Sequence, residues 1–172
     1  MTTATGVELR QTLARRPPWL PRTLNRLTAP RSAPDRVLRA HRWLYEHSDG
    51  RIGQLMIGAP TLLLWTTGRR TGIRRCSAVS YAVDRDGLII AASNSGADHP
   101  PAWFHNLRSN SAVHFQIGRH HLSGTAAVVE STDPDYKRLW GLMNTTNNRR
   151  YDAYQTLTSR PIALVAISIE EA

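Results

Sequence analysis

The chain has 172 residues, a single cysteine and a formal net charge of +9. This length is that of one ordinary domain with a sizeable core, and one cysteine excludes an internal disulfide framework. No apolar run is long enough to span a membrane and no apolar leader precedes a cleavage site, which predicts a cytoplasmic protein.

Nearly all of the positive charge is arginine, and Lys137 is the only lysine. The planar guanidinium fork suits phosphates and carboxylates and stays charged at any physiological pH. A bias toward arginine codons would give the same composition. The charge therefore indicates an anionic partner without choosing between nucleic acid, a membrane surface and an acidic cofactor.

Residues 1–34 form a basic segment rich in proline and arginine, and residues 35–172 form the predicted folded domain. The prolines interrupt any long helix, but a short basic amphipathic helix fits between Pro21 and Leu27. Such a helix is typical of a contact with a membrane surface or a partner. A tail that folds across the body of the protein is the alternative.

The pattern after this segment predicts an α+β protein. A helix over 33–46 begins with Ser32 as its cap, and we expect Val37, Leu38, Trp43 and Leu44 on its apolar side. Helices are also predicted over 100–107 and over 134–143, the latter capped by Thr132 or Asp133. Short apolar or alternating runs predict six strands, at 61–66, 77–83, 88–92, 112–117, 122–129 and 162–169. This order favours a mainly antiparallel, barrel-like sheet.

The strongest local motif is TTGRRTGIRR, at 66–75. Two glycines bracket a turn between two strands, and the motif holds four arginines and no acid. Glycine conformations, threonine hydroxyls and guanidinium groups together are what an oxyanion site requires. The alternative is an exposed basic hairpin. The motif is neither a P-loop nor a dinucleotide-binding GxGxxG.

A second motif, AASNSGADHPPAW at 91–103, joins a strand to a helix. Its small side chains would let a planar ring approach the backbone, and the helix N-terminus supplies donors. An ordinary connection would have a similar composition.

A third motif lies at 147–154. If this segment is helical, Tyr151 and Tyr154 share one face of the helix. Their side chains would then either donate phenol protons into a pocket or pack as core aromatics.

Other catalytic chemistry finds little support. His120 and His121 are adjacent on a strand and point to opposite faces, so we predict no metal site. Cys76 lies beside Arg74 and Arg75, which are expected to lower its pKa, yet no positioned base can be identified. Neither GxSxG nor HExxH occurs.

The order of motifs is more specific than any one of them. GRIG at 50–53, GAPTLLLWTTGRRTGIRR at 58–75 and AASNSG at 91–96, followed by Pro101, Trp103 and Asn106, resemble the deazaflavin-dependent nitroreductase and quinone reductase family. The resemblance runs from about residue 43 to 167. It implies a split β-barrel that binds coenzyme F420, whose phosphate and oligoglutamate tail are anionic. Hydride would pass directly from the reduced deazaflavin to the acceptor, so no protein nucleophile is expected.

The resemblance also assigns residues. It assigns the phosphate end of the cofactor to Arg69, Arg70, Thr71, Arg75, Cys76, Ser77, Ala78, Val79 and Ser80. The deazaflavin ring and its ribityl chain fall to Ala91, Ala92, Ser93, Asn94, Ala102, Trp103, Phe104, His105 and Asn106. Tyr151 and Tyr154 would shape the acceptor pocket, and with Ser93 they are the candidate proton donors.

Three positions depart from the family pattern. Ala78 stands where a proline is common, Asn94 where a basic residue often follows the serine, and Asn148 where a further tyrosine occurs. The last two leave the acceptor open between a quinone, a nitroaromatic and an activated alkene or ketone.

Two other functions are weighed. FMN on the same barrel is the alternative cofactor, although its single phosphate needs fewer arginines. A basic nucleic-acid-binding module is disfavoured because neither a recognition helix nor an aromatic strand face is present. The oligomeric state is left open.

Overall fold

A computed structural model describes residues 35–56, 58–85 and 87–170, and within these ranges the chain forms seven strands and four α-helices. The helices are α1 (Asp35–His47), α2 (Ala102–Ser109), α3 (Tyr136–Thr146) and α4 (Arg150–Gln155). The strands are β1 (Leu55–Met56), β2 (Ala59–Thr67), β3 (Arg74–Asp84), β4 (Gly87–Ala91), β5 (Ala112–Ile117), β6 (His120–Val129) and β7 (Leu164–Ile169).

Six of these strands close into a barrel. They follow the order β2-β3-β4-β7-β6-β5, and β5 returns to pair with β2 through the register Leu63 to Gln116. Every pairing is antiparallel. Closure satisfies the backbone groups of the strand edges, which an open sheet would leave unpaired. The predicted α+β class and the mainly antiparallel barrel are confirmed.

The barrel has an apolar filling and a second apolar layer on its outside. Leu64, Ile90 and Phe115 are among the buried residues that fill the interior. Ile89 points the other way and packs with Met143 of α3 in the outer layer. Since both faces of β4 are covered, its sequence reads as a continuous apolar run instead of alternating.

The predicted strands lie in their expected places, with differences of a few residues at their ends. β3 begins at Arg74, three residues before the predicted start at Ser77, because the ladder with β2 continues to the pair Thr67 and Arg74. α2 begins at Ala102 because Pro101 before it is extended. α3 begins at Tyr136 with Asp135 as its N-cap, since Asp133 instead accepts a hydrogen bond from the Glu130 backbone.

The predicted apolar side of α1 is wrong for the two residues that can be compared. Trp43 is 58% exposed and Leu44 is 39% exposed, whereas Tyr45 is fully buried. The Tyr45 hydroxyl donates to the Thr61 carbonyl at 3.1 Å and accepts from the Gly118 N–H at 2.9 Å. Long-range hydrogen bonding therefore decides which face of α1 meets the barrel. The side chains of Val37 and Leu38 lie outside what the structure describes.

The predicted basic segment 1–34, including the Ser32 cap, also lies outside the described residues. None of the helices in the described part of the chain is long and apolar enough to cross a membrane.

Replacing Tyr45 with phenylalanine tests the link between α1 and the barrel. The change leaves the Gly118 N–H and the Thr61 carbonyl without this partner inside the protein. We expect the free energy of unfolding to fall by about 1–3 kcal/mol, measured by urea denaturation. Ile52→Ala, at a side chain that is 54% exposed, is the control and should change it by less than about 0.5 kcal/mol. Equal stability of Tyr45→Phe and the wild type would contradict the role given to this hydroxyl.

Candidate functional site

A cleft of about 530 Å³ opens where the β2–β3 turn meets α2. Three segments line it: the end of β2 with the turn, the start of β3, and one face of α2. The lining residues are Thr66, Gly68, Arg69, Arg70, Thr71, Arg75, Cys76, Ser77, Ala102, Trp103, His105 and Asn106.

The turn is closed by its own backbone. The Gly68 N–H donates to the Ile73 carbonyl at 2.9 Å, and the Gly72 N–H donates to the Gly68 carbonyl at 2.8 Å. Gly72 has a φ of +66°, a left-handed conformation that favours glycine. The left-handed backbone conformation of the turn therefore explains why the motif has glycine at position 72.

Asn106 fastens the turn to α2. Its side-chain oxygen accepts from the Arg69 N–H at 3.1 Å, and its side-chain nitrogen donates to the Thr66 hydroxyl at 3.0 Å. Both polar atoms of this buried amide are thus used inside the protein. Asn106 holds two walls of the cleft at a fixed separation.

The cleft is cationic. Arg69, Arg70 and Arg75 line it, and its lining includes no aspartate or glutamate from the described residues. Hydroxyls of Thr71 and Ser77 are available beside the guanidinium groups. This donor set is suited to an oxyanion such as a phosphate.

Arg74 is separated from the other three arginines of the motif. Its guanidinium lies 5.1 Å from the centre of the Trp65 ring, beside a groove of about 140 Å³ on another part of the surface. Arg75 lines the cleft and Arg74 does not, so these two neighbouring side chains are directed to different sites.

The structure corrects the expectation for Cys76. Burial, and after it the hydrogen bond and negative charge of Glu46, raise the pKa of its thiol from 9.0 to about 12. The charges of Arg42 and Arg74 act in the opposite direction but are outweighed. The sequence predicted a lowered pKa because it showed the adjacent arginines and not the α1 carboxylate that folds over the thiol.

The outer face of β3 leads away from the cleft. Cys76, Ala78 and Ser80 alternate along this face, and at about 3.3 Å per residue the path from Cys76 to Ser80 is about 13 Å long. The side chain of Val79 points the other way and packs against the barrel interior. Any contact of Val79 with a ligand in the cleft would therefore be through its backbone.

Two tyrosines lie at the far end of this face. Tyr151 and Tyr154 of α4 are 5% and 8% exposed, and their ring centres are 5.9 Å apart. Burial raises the pKa of Tyr151 despite a hydrogen bond with the Ser80 side chain. The phenol therefore keeps its proton at neutral pH. Neither tyrosine lines the cleft.

The orientation of α4 depends on Asp152. One of its carboxylate oxygens accepts from the Trp140 ring nitrogen at 2.9 Å and from the Asn144 amide at 2.8 Å. The Asn144 side-chain oxygen in turn accepts from the Asp152 N–H at 3.0 Å. These bonds fix the start of α4 on α3 and thereby place Tyr151.

The remaining predicted residues are divided between the core and one loop. Ala91, Ala92 and Phe104 are buried in the two apolar clusters. Ser93 is buried and Asn94 half-buried in the connection from β4 to α2, away from the cleft lining. Their assignment to a cofactor, like that of the cleft residues, stays a prediction.

Sequence reasoning missed Arg42, Glu46 and Arg160. The first two lie on α1, with the Arg42 guanidinium donating to the Cys76 carbonyl at 3.0 Å. Arg160 binds carbonyls of the loop that carries Ser93. No periodicity or motif marks these residues, because their partners are 30 or more positions away in the chain. Among the residues described, no three His, Cys, Asp or Glu side chains come together as metal ligands.

Alkylation of Cys76 tests the corrected pKa. With the pKa of the thiol raised to about 12, almost no thiolate is present at pH 8. We expect iodoacetamide to react at least about tenfold more slowly with the folded protein than with the chain in urea. Glu46→Gln should speed the reaction because it removes a group that raises the pKa, whereas Glu170→Gln, at a distant exposed residue, should not.

The sign of the pH dependence follows from the same shift. Above about pH 9 the unfolded thiol ionises while the folded one does not, so this group favours unfolding as the pH rises. A folded-state alkylation rate equal to that in urea would contradict the assignment.

Comparisons with known proteins bear on the family and the fold of this chain. Residues 37–168 match the family model of F420H(2)-dependent quinone reductase. An F420H(2)-dependent quinone reductase of Mycobacterium tuberculosis is 43% identical over 133 residues, which cover 77% of this chain and 89% of that protein. The solved structure of an F420-H2 dependent reductase (FDR-A) superposes with a TM-score of 0.57 at 28% identity, covering 63% of this chain and 93% of that one. A second solved structure, a domain-swapped dimer, gives a TM-score of 0.58 at 25% identity, with 73% and 96% covered. The chain therefore belongs to the F420H(2)-dependent quinone reductase family, a family of oxidoreductases.

Proposed function

We propose that this protein reduces a quinone with reduced coenzyme F420, and that the arginine-lined cleft holds the phosphate end of the cofactor. The observation that carries the proposal is the convergence of Arg69, Arg70 and Arg75 on one cleft whose described lining has no carboxylate. Family membership supports the choice of a quinone over the nitroaromatic and alkene acceptors.

The chemistry of the cleft fits the cofactor. A phosphate with an oligoglutamate tail carries several negative charges, and three guanidinium groups complement them better than neutral donors would. A volume of about 530 Å³ is within the usual range of small-molecule sites. FMN, the alternative weighed from the sequence, lacks the acidic tail and finds no support in the family match.

Each cleft residue has a distinct task in this proposal. Arg69, Arg70 and Arg75 neutralise the anionic end, while the Thr71 and Ser77 hydroxyls donate hydrogen bonds to it. Because Asn106 fixes the turn on α2, these donors need little rearrangement on binding. Preorganised donors lower the entropic cost of holding a ligand.

The ring end of the cofactor is reassigned to the outer face of β3, whose Ala78 and Ser80 the sequence resemblance gave to the phosphate end. Ala78 and Ser80 carry small side chains there, and Tyr151 closes the far end beside Ser80. When bound, the reduced deazaflavin supplies a hydride. Trp103, which packs edge-on against Phe104 with ring centres 6.2 Å apart, is one wall of the cleft.

The proton that accompanies reduction comes from a buried hydroxyl. An acceptor oxygen gains negative charge during hydride transfer, and a nearby neutral donor stabilises it. Tyr151 is suited to this task because burial raises its pKa and keeps the phenol protonated. Tyr154 and Ser93, both buried, are the other candidates.

A membrane contact is the second part of the proposal. A quinone with an isoprenoid tail partitions into the bilayer, so the enzyme must reach the membrane surface. The basic segment 1–34 has the composition for this contact. In the described part of the chain, α1 directly follows this segment and exposes Trp43 and Leu44, which are suited to an interfacial position.

Cofactor binding tests the central claim. In a fluorescence titration we expect F420 to bind the wild type tightly and FMN to bind weakly. Arg70→Ala combined with Arg75→Ala removes two charge-assisted contacts at about 1.5–3 kcal/mol each, which weakens F420 binding by about 100-fold or more. Arg119→Ala with Arg138→Ala removes the same charge outside the cleft lining and is the matched control.

Turnover with menaquinone completes this experiment. The wild type should oxidise F420H2 only when the quinone is present, and the cleft variant should need far more cofactor to do so. Tight FMN binding would leave the fold assignment unchanged, but it would make the protein an FMN-dependent oxidoreductase. Equal F420 affinity in the cleft variant and the control would contradict the assignment of the cleft.

Flotation with liposomes tests the membrane contact. The full-length protein should float with vesicles that contain anionic lipid, and a variant lacking residues 1–30 should stay in the dense fraction. Raising the salt should weaken the association because it screens the arginines. Equal flotation of the two proteins would dismiss the role of this segment.

A further inference from the structure

Arg160 joins α4 to the connection from β4 to α2, and these segments carry Tyr154 and Ser93, two candidate proton donors of the proposed function. It follows α4 in the chain, and its side chain reaches the connection from β4 to α2. The guanidinium donates to the carbonyls of Ala92 at 3.0 Å, Ser93 at 2.9 Å and Ala97 at 3.0 Å. A planar fork can hold several carbonyls at once, which a single ammonium group cannot do in the same geometry.

The loop that Arg160 binds has an unfavourable backbone conformation. Asn94, Ser95 and Gly96 follow one another with φ values of +47°, +55° and +82°. Left-handed conformations at two successive residues other than glycine cost energy and persist only where their surroundings impose them. The Arg160 bonds lie on both sides of these three residues and so provide that constraint.

The same loop packs directly on α4. A Cβ atom at Gly96 would lie 2.8 Å from the Tyr154 carbonyl oxygen and 2.8 Å from the Leu157 side chain. The loop backbone and the end of the tyrosine helix are therefore in contact without an intervening side chain. A small shift of the loop would change its position relative to Tyr154.

The backbone of Arg160 is itself anchored to α4. Gln155, the last residue of that helix, donates to the Arg160 carbonyl at 2.9 Å and to the Thr158 carbonyl at 3.2 Å. The Thr158 hydroxyl donates to Asp98 at 3.0 Å, which ties this connection to the loop a second time. The main chain of Arg160 is thus hydrogen-bonded to α4, and its side chain is hydrogen-bonded to the loop that carries Ser93.

The bonding of Arg160 differs from that of an ordinary surface arginine. Arg138, by comparison, makes ion pairs with Asp84 and Asp135. Within the described residues the hydrogen bonds of the Arg160 guanidinium all go to main-chain carbonyls. A group bonded in this way fixes backbone position and adds nothing to the cationic cleft.

We propose that Arg160 is a positioning residue of the reductase: its guanidinium holds the Ala92–His99 loop against α4, so that Ser93 and Tyr154 keep one arrangement at the acceptor site. This inference rests on the proposed function for its catalytic consequence. Its structural part stands on the contacts alone. The two parts can be tested separately.

Hydrogen exchange without cofactor tests the structural part. The N–H groups of Gly96 and Ala97 bond to the Ser93 and Asn94 carbonyls, each at 3.0 Å, within the loop. In Arg160→Lys we expect these two amides to exchange about tenfold faster or more, because fewer carbonyls are held. In Arg138→Lys, which also replaces one guanidinium, they should exchange as in the wild type. Unchanged exchange in Arg160→Lys would overturn the proposal whatever the activity of the enzyme.

Kinetics test the catalytic part. In Arg160→Lys we expect kcat for quinone reduction to fall about tenfold or more, while the Kd for F420 stays within about threefold because the cleft arginines are untouched. Guanidinium ion at millimolar concentration should restore part of kcat in Arg160→Ala and should not affect Arg138→Ala. If Arg160→Ala does not fold, the lysine variant still decides the question.

The outcomes separate the two hypotheses. A wild-type protein that does not reduce quinone with F420H2 contradicts the proposed function, and the exchange experiment still decides the role of Arg160 in the loop. A wild-type protein that is active, with kcat unchanged in Arg160→Lys, overturns the positioning role alone. Loss of F420 binding as severe as in the cleft double variant would also overturn it, because Arg160 would then act on cofactor binding.

Discussion

The pairing of β2 with β3 is the constraint on which the rest of the site depends. Their ladder ends at Thr67 and Arg74, and the turn between them closes on the Gly68 and Ile73 backbone. This register sends Arg75 into the cleft and Arg74 onto the Trp65 ring. A shift of one residue would exchange the two arginines and turn the outer face of β3, with Cys76 and Ser80, toward the barrel interior.

Features with a local cause were predictable from the sequence. The glycines and arginines of the β2–β3 turn are determined by backbone conformation and charge within ten residues, and the motif predicted either an oxyanion site or an exposed basic hairpin. The strands were located because their apolar runs are short and bounded by turn residues, as at Gly118 and Arg119. The closing pair between β2 and β5 needed the structure, since it joins residues such as Leu63 and Gln116 that are more than 50 positions apart.

Features with a distant cause were not predictable. Trp43 and Leu44 were assigned to the buried side of α1 by hydropathy, but the hydrogen bonds of Tyr45 with Thr61 and Gly118 select another face. The raised pKa of Cys76 depends on its burial and on Glu46, which lies 30 residues earlier in the chain. The arginines next to Cys76 in the sequence reveal neither cause. Nothing in the sequence distinguishes Arg160 from a surface cation, because its carbonyl partners lie over 60 residues away.

The two ends of the site have opposite electrostatic character, and this division follows from where each set of residues lies. The arginine turn projects from the end of a hairpin, where the guanidinium groups of Arg69 and Arg70 are exposed to water. Tyr151 and Tyr154 lie in an apolar layer between helix and sheet, where ionisation of a phenol is disfavoured. Water and salt therefore weaken interactions at the arginine turn, whereas the two tyrosines are neutral donors in a medium of low polarity. A hydride acceptor beside the tyrosines, as proposed, would benefit from that environment because a hydrogen bond to a developing oxyanion is stronger when water is excluded. The cleft and the buried tyrosines are separate, and the outer face of β3 from Cys76 to Ser80, about 13 Å long, lies between them.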